Sequence, residues 1–123
     1  MQRIANFTLH DQKDYVRRWR KFGFDMDPRP RAPLIQYEQK RWTEEKIFSE
    51  VKKRIYKIHD EKYDAILIGG LSNVMLYAWY LANKLGIRVI MAKTPRKRGK
   101  NGGFIFVLEG WQELLRLDQL EGR

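Results

Sequence analysis

The run Asp64–Gly103 constrains the fold of this chain of 123 residues more than any other segment does. It begins with the apolar residues Ala65–Ile68, passes through two glycines into a helical pattern, and reaches a second apolar run at Ile87–Ala92. Four apolar residues between turn signals are typical of a central strand that is covered on both faces. Because a helix separates the two runs, the segment predicts a βαβ unit whose strands are adjacent and parallel.

Shorter patterns predict the elements that precede this unit. A first strand is expected at Arg3–Leu9, and Asp11 is expected to cap a helix that ends at Gly23. The proline-punctuated residues 25–33 predict a connection within the domain, followed by a second strand at Leu34–Glu38. A long helix with a basic outer face is expected after its capping residue, Thr43. Its predicted core positions are Ile47, Val51, Ile55 and Ile58.

The helix within the unit and the elements after it complete the predicted fold. Ser72 or Asn73 is the expected cap of the helix, which ends at Gly86. A further strand is expected at Phe104–Leu108 and a closing helix at Trp111–Leu120. The order of elements predicts a single Rossmann-like α/β domain over residues 1–123, with a mainly parallel sheet, an antiparallel edge strand and helices on both faces.

The composition narrows the classes of partner. The chain has 25 Lys and Arg against 15 Asp and Glu, so its net charge is +10, which favours nucleotides, nucleic acid or anionic surfaces. It has no cysteine, and this excludes disulfides, zinc–thiolate sites and thiol nucleophiles. The opening MQRIANFTLHDQ lacks the apolar core of a signal peptide, and no apolar run approaches the roughly 20 residues that a membrane span needs. We therefore expect a cytoplasmic protein with no membrane partner.

The turn Gly69-Gly70 carries the main functional signal of the sequence. A strand that runs through such a turn into a helix places free backbone N–H groups at the carboxyl edge of a sheet, where open α/β folds bind anions. The loop Lys93–Lys100 carries positive charges and no negative one, and it should lie near the same edge. These two features predict one site for a polyanion. Its expected ligand contacts are Gly69, Gly70, Ser72, Asn73, Thr94, Arg96, Lys97 and Arg98.

Each of these features also has a purely structural interpretation. The glycines can form a tight strand-to-helix turn, Ser72 and Asn73 can be helix caps, and the basic loop can be a solvated flap. The functional alternative for the loop is a lid over an anionic ligand, with Arg96 offering the bidentate geometry that phosphates favour. The sequence GGLSNV matches neither a dinucleotide fingerprint nor a P-loop, so we expect no NAD, no ATP and no other cofactor or metal.

His10 ends the predicted first strand and is expected at the same edge of the sheet. An imidazole in that position can act as a general acid or base, although a lone histidine is more often a surface residue. The sequence shows no catalytic triad and no carboxylate pair.

Three stretches of the chain together resemble the small CRISPR-associated Csx ring nucleases: LIQYEQKRWTEEKIFSEV, AILIGGLSNVMLYAWYLANKLGIRVIMAKTPRK and GGFIFVLEG. In those families a strand ends in a small polar or glycine turn, an aromatic-rich helix follows, and the next strand ends in a short motif with proline, threonine and arginine. The opening NFTLHDQ is similar to the NFxH-type first strand of some members. The resemblance implies a homodimer that binds and cleaves a cyclic oligoadenylate, a second messenger of type III CRISPR antiviral signalling.

The resemblance also implies a mechanism and a set of site residues. In such enzymes the ribose 2′-OH attacks the adjacent phosphate, and the protein orients the backbone and stabilises the developing charge without a metal ion. The implied catalytic residues are His10, Ser72 and Arg96. The other positions that match the motifs are Asn6, Thr8, Gly69, Gly70, Thr94 and Pro95.

Other classes of function stay open on the sequence alone. The chain can instead be a non-catalytic RNA- or DNA-binding module, in which the basic helix Lys46–Lys57 and the loop Lys93–Lys100 contact phosphates. The strand–helix–strand unit also looks like that of phosphoribosyltransferases. The acidic pair that those enzymes carry before their phosphate loop is missing here.

Overall fold

The computed structural model describes residues 1–35 and 42–122, with the backbone alone for residues 96–97 and 104–106. A five-stranded sheet contains β1 (Gln2–Phe7), β2 (Phe24–Asp27), β3 (Ala65–Ile68), β4 (Arg88–Lys93) and β7 (Gly110–Glu113). The strands β5 (Arg96–Arg98) and β6 (Phe104–Phe106) form a separate antiparallel pair. The helices are α1 (Val16–Lys21), which follows a 3-10 turn at Lys13–Tyr15, α2 (Glu44–Asp60), α3 (Ser72–Leu85) and α4 (Leu117–Glu121).

The order of strands across the sheet is β2-β1-β3-β4-β7. The first four strands run parallel to their neighbours, and β7 pairs antiparallel with β4 at the edge. The predicted βαβ unit is confirmed, since Ala65 of β3 pairs with Arg88 of β4 in parallel register. The predicted α/β class, with a mainly parallel sheet and an antiparallel edge strand in one domain, is therefore confirmed.

Apolar side chains cover both faces of the sheet. On one face, α2 and α3 bury their apolar stripes against Ala5 and Phe7 of β1 and against Ile66 and Ile68 of β3. On the other face, the fully buried Trp19 of α1 packs in a cluster with β1, β3 and β4. Helices therefore lie on both faces, as the sequence predicts. The predicted core positions of α2 are all buried: Ile47, Val51, Ile55 and Ile58.

The ends of the two long helices follow from their local sequence. Thr43 Oγ1 accepts a hydrogen bond from Lys46 N at 3.1 Å, which confirms the predicted cap of α2. Gly86 ends α3 with φ of 72°, a left-handed conformation that glycine adopts without strain. The predicted cap of α3 is wrong, because Leu71 is the capping residue and makes no side-chain cap. Asn73 Oδ1 instead accepts from the N–H of the next residue, Val74, at 3.0 Å.

The second strand of the chain lies outside the segment predicted for it. The second strand is Phe24–Asp27, within and just before the predicted connection, whereas Leu34 and Ile35 lie in no strand and residues 36–38 are outside the described part. This strand has only four residues, and its alternation of Phe24 and Met26 with two aspartates hides it among turn signals. A proline follows it directly, as is typical of an edge strand.

The prediction for the end of the chain is also wrong. Phe104–Phe106 does not join the main sheet but pairs with Arg96–Arg98, and the antiparallel edge strand is Gly110–Glu113. The predicted closing helix is reduced to Leu117–Glu121. The segment forms a strand rather than a helix because its backbone groups pair with the N–H and C=O groups along the open edge of β4, with Ala92 opposite Trp111. No helix in the described part is both long and apolar enough to cross a membrane.

Candidate phosphate-binding site at the carboxyl edge of the sheet

The strand order creates a crevice at one defined place on the sheet. From β1 the chain moves to β2 on one side, and it later returns to β3 on the other side of β1. Ligands of open α/β sheets bind outside the carboxyl ends of the two strands at which the order reverses in this way. Here those strands are β1 and β3. We call this place the switch-point crevice; it lies between the post-β1 loop, Thr8–His10, and the turn segment, Gly69–Asn73.

The turn segment presents backbone donors that the protein itself does not use. Gly70 has φ of 103°, a conformation that a side chain would strain, and it is exposed. Within the part of the chain that the structure describes, nothing accepts a hydrogen bond from the N–H groups of Gly70, Leu71, Ser72 and Asn73. They open a helix of 14 residues, whose dipole adds positive potential at this end. The segment therefore has the donors that a phosphate needs.

The post-β1 loop is built in the opposite way, because its polar groups bond to one another. Asn6 is fully buried, and its Nδ2 donates to the carbonyl oxygens of His10 at 2.7 Å and Pro28 at 2.8 Å. Asn6 Oδ1 accepts from Thr8 Oγ1 at 2.6 Å and from Thr8 N at 3.2 Å. His10 N in turn donates to Thr8 Oγ1 at 3.1 Å. The side chains of Asn6 and Thr8 therefore hold the loop rather than face solvent.

The loop and the turn segment lie side by side at the base of the crevice, because they follow the paired residues Phe7 and Ile68. A Cβ atom at Gly69 would lie 3.4 Å from Thr8 Cγ2, at an ordinary van der Waals distance. His10 is exposed at the end of the loop, and among the described residues no group hydrogen-bonds to its imidazole. The structure thus brings the sequence-predicted residues of the first strand and of the glycine turn to one edge.

A second group of contacts fixes the post-β1 loop from outside. Arg31 N donates to Asn6 O at 2.9 Å, and the Arg31 guanidinium bonds to Asp27 at 2.8 Å, Glu61 at 2.9 Å and the hydroxyl of Tyr63 at 2.9 Å. Tyr63 also donates to Asp27 Oδ2 at 2.8 Å. Burial raises the pKa of Asp27, but the hydrogen bonds from Arg31 and Tyr63 outweigh it and lower the pKa below its ordinary value of 3.8. The segment after β2 is therefore held to the end of β1.

The predicted basic loop is a β-hairpin rather than an irregular flap. The strands β5 and β6 pair antiparallel, and the turn between them is closed by a hydrogen bond from Gly99 N to Gly103 O at 2.7 Å. Thr94 is exposed directly after β4, and Lys93 O accepts from Glu109 N at 3.0 Å where the chain returns. Arg96, Lys97 and Arg98 all belong to β5, so they follow the carboxyl end of β4. Of their side chains, the structure describes that of Arg98, which is exposed.

One carboxylate lies beside the turn segment. Glu44, the first residue of α2, accepts a hydrogen bond from the hydroxyl of Tyr77 and a longer one, 3.4 Å, from Asn73 Nδ2. The bond to Glu44 raises the pKa of Tyr77, because the hydroxyl proton is shared with a negative group. The Asn73 side chain is thus turned towards Glu44 and Val74 N, whereas the backbone N–H of Asn73 has no acceptor among the described residues.

The basic outer face of α2 is largely neutralised within the helix. Glu50 accepts from Lys46 at 3.2 Å, Arg54 at 2.9 Å and Lys53 at 3.5 Å. The hydrogen bonds from Lys46 and Arg54 lower the pKa of Glu50 to about 2. Lys52 and Lys57 remain exposed and form no ion pair with a described residue. This helix therefore offers less free positive charge than its sequence suggests.

Sequence reasoning omitted one residue of the turn segment. Leu71 contributes an N–H group that has no acceptor in the described ranges. The position of Leu71 between Gly70 and Ser72 was the signal that could have included it. In the described ranges, no three histidine, aspartate or glutamate side chains are placed to hold a metal ion.

No protein-family model matches the chain, and a comparison with curated proteins finds no matching sequence. The functional interpretation therefore depends on the geometry of the switch-point crevice.

Proposed function

We propose that this protein binds a cyclic oligoadenylate in the switch-point crevice and cleaves it. The observation that carries the proposal is the set of N–H groups at Gly70–Asn73 that have no acceptor in the described part of the chain. They lie at the strand-order reversal, the place where α/β sheets bind ligands. The resemblance of the motifs to ring nucleases supports the ring form of the ligand. The chain's net charge of +10 favours a ligand with several phosphates.

The basic hairpin supports a polyanion over a single phosphate. Arg98 is exposed on β5, and Lys100 is exposed in the turn that follows it. These charges come after the carboxyl end of β4, which is next to β3 in the sheet. A ligand with one phosphate on the turn segment can place a further phosphate near this hairpin. Because the charges of the hairpin are exposed, salt screens their attraction for that phosphate.

The proposed cleavage needs few protein groups. The ribose 2′-oxygen bonds to the adjacent phosphorus while the bond to the 5′-oxygen breaks, and the 5′-oxygen takes a proton from solvent water, which leaves a 2′,3′-cyclic phosphate and a 5′-hydroxyl. His10 accepts the proton of the 2′-OH, since its exposed imidazole borders the crevice without a partner among the described residues. Ser72 and the N–H groups of the turn segment stabilise the charge on the phosphate oxygens, and Arg96 adds a positive charge. The proposal includes a homodimer, in which a symmetric ring lies across the two-fold axis.

The test is to incubate the protein with cyclic tri-, tetra- and hexa-adenylate and to separate the products by chromatography. We expect one ring size to bind in preference to the others and to give products with 2′,3′-cyclic phosphates. The same ring built with 2′-deoxyribose is the matched control, and it should bind and stay intact. If none of the rings binds, or if the deoxy ring is also cut, the proposal fails in its binding or its chemical part, respectively.

A second candidate is a non-catalytic RNA- or DNA-binding module. Lys52 and Lys57, exposed on α2 without ion pairs to described residues, favour it, because such charges contact phosphates of any sequence. Binding would then depend steeply on salt and extend to many lengths of single-stranded RNA. The double variant Lys52→Ala, Lys57→Ala should weaken RNA binding in this case, whereas it should leave ring binding in the crevice unchanged.

A further inference from the structure

An apolar groove of about 560 Å³ opens beside the turn segment. One wall is formed by Ser72, Met75, Leu76 and Trp79 of α3, and the other includes Leu115 and Leu120 from the chain after β7. Apart from Ser72, which has a hydroxyl group, the residues that line the groove have hydrophobic side chains. Leu76 is 59% exposed although it is apolar. The groove therefore leaves a sizeable hydrophobic surface in contact with solvent.

Hydrogen bonds hold the two walls together, so the groove exists before any ligand binds. Trp79 Nε1 donates to Leu115 O at 3.0 Å, which fixes the orientation of the indole ring. Asn83 Nδ2 donates to Trp79 O at 2.7 Å, and Asn83 Oδ1 accepts from Leu117 N at 2.8 Å. Pre-formed hydrophobic clefts of this size with few polar groups are typical of small-ligand sites.

The groove is continuous with the proposed phosphate site. Ser72 belongs to both, since its N–H has no acceptor among the described residues and Ser72 is one of the residues that line the groove. Ile68, the last residue of β3, also lines the groove. The distance from the turn segment to this hydrophobic surface is therefore short enough for one nucleotide to reach both. The surrounding helix is almost uncharged, because Lys84 is the one charged residue of Ser72–Leu85.

We infer that the groove between α3 and the chain after β7 binds a nucleobase of the ligand whose phosphate lies on the turn segment. A purine has two flat apolar faces, which match the ring of Trp79 and the thioether of Met75. Its polar edge can remain in water, because the groove is open to solvent. This inference rests on the proposed function, since it requires a nucleotide at the crevice.

The test compares adenosine 5′-monophosphate with ribose 5-phosphate, which shares the phosphate and sugar but lacks the base. Titrations of the full chain are followed by nuclear magnetic resonance, which resolves the amides of Gly70–Asn73 and the indole N–H of Trp79. We expect both compounds to shift the amides, adenosine 5′-monophosphate alone to shift the indole, and its binding to be about 10-fold tighter, as expected for one stacked base.

The other outcomes separate the two ideas. If both compounds bind at the amides with equal affinity and the indole does not move, the inference is wrong and the phosphate site stands. If neither compound shifts the amides, the inference fails together with the phosphate site on which it rests.

Two matched variants of α3 complete the test. Leu76→Ser removes a wall of the groove, and it should abolish most of the 10-fold preference for adenosine 5′-monophosphate. Tyr80→Ser changes a similarly exposed residue of the same helix, 42% exposed and outside the groove, and it should keep the preference. Trp79→Phe should keep most of it, because an aromatic face remains although the hydrogen bond to Leu115 O is lost, whereas Trp79→Leu should lose it. Equal effects of Leu76→Ser and Tyr80→Ser would overturn the inference.

Discussion

The two segments that border the switch-point crevice differ in what their polar groups do. In the post-β1 loop, the side chains of Asn6 and Thr8 bond to each other and to backbone groups. In the turn segment, backbone N–H groups from Gly70 to Asn73 have no acceptor among the described residues. The two segments lie side by side, since they follow the paired residues Phe7 and Ile68. One segment thus supplies the rigid base of the crevice, and the other supplies its donors.

This difference changes which residues are good candidates for ligand contacts. Asparagine and threonine commonly contact phosphates. Here, however, Asn6 and Thr8 are buried, and their side chains form hydrogen bonds within the protein. Glycine has no polar side chain, yet its position leaves the backbone of the next helix open to an anion. The functional value of a residue in this crevice is therefore set by whether its hydrogen-bonding groups are already satisfied.

The sharpest test of the comparison is to remove one polar side chain from each segment. Asn6→Ala leaves Thr8 N and the carbonyl oxygens of His10 and Pro28 without their partner, so the free energy of unfolding should fall by about 3 kcal/mol. Ser72→Ala should change it by less than about 0.5 kcal/mol, because this exposed side chain caps nothing. Urea unfolding of both variants measures the difference, and equal losses would contradict the division of roles.

The same comparison shows what could and could not be predicted from the sequence. The strand Ala65–Ile68, its glycine turn and the long helix were predictable, because periodicity, caps and turn residues are local signals. The strand at Phe24–Asp27 was missed, because two of its four residues are aspartates and a proline follows. Its place beside β1 depends on pairing with a distant segment, which short-range patterns do not encode.

The state of the site residues also depended on distant contacts. That Asn6 is satisfied follows from Pro28 and from Arg31, which Asp27, Glu61 and Tyr63 hold in place. The groove next to α3 likewise joins segments more than 30 residues apart in the chain, as the bond from Trp79 to Leu115 shows. A site at the carboxyl edge of the sheet could be predicted from the glycine turn after β3, whereas the strand-order reversal and the burial of the side chains could not, because both depend on distant pairing.

The exposed imidazole of His10 provides the next prediction, which concerns the chemical step. If His10 accepts the proton of the 2′-OH, His10→Ala should slow cleavage of the bound ring about 100-fold, or about 2.7 kcal/mol in the barrier, with binding retained. Single-turnover rates at saturating protein measure this. A wild-type rate would leave positioning by the turn segment as the better account and would remove the catalytic role from the post-β1 loop.

The hairpin after β4 tests whether donors outside the two segments matter. Arg96→Ala should weaken binding of the anionic ligand by about 2 kcal/mol, the usual loss for a charged hydrogen bond. Lys57→Ala is the matched loss of charge, since Lys57 is exposed in the last turn of α2, towards the amino end of β3. It should have little effect. Titrations at one fixed salt concentration compare them, and an unchanged affinity for Arg96→Ala would remove the hairpin from the site.

The neighbouring glycines of the turn offer a smaller and more local comparison. Gly70→Ala places a side chain at φ of 103°, so it should lower the free energy of unfolding by about 1–2 kcal/mol even though the space is open. Gly69→Ala places its Cβ in van der Waals contact with Thr8 and should cost less than about 0.5 kcal/mol. Thermal unfolding distinguishes them. If Gly70→Ala lowers the free energy of unfolding less than Gly69→Ala does, the positive φ of Gly70 is not what sets the arrangement of the N–H donors.

The smallest expected effect is the acid sensitivity of the post-β1 loop. Because the pKa of Asp27 is lower in the folded protein than its ordinary 3.8, the unfolded chain binds a proton more readily. The stabilisation from this carboxylate is therefore fully present above about pH 5 and is lost as the pH falls through 3.8 and then through the lower folded value. Asp27→Asn should remove this part of the dependence, because the side chain no longer titrates and the charged bond to Arg31 is gone at every pH. Unfolding measured between pH 6 and pH 2 compares the two proteins, and parallel curves would show that Asp27 does not hold the loop through its charge.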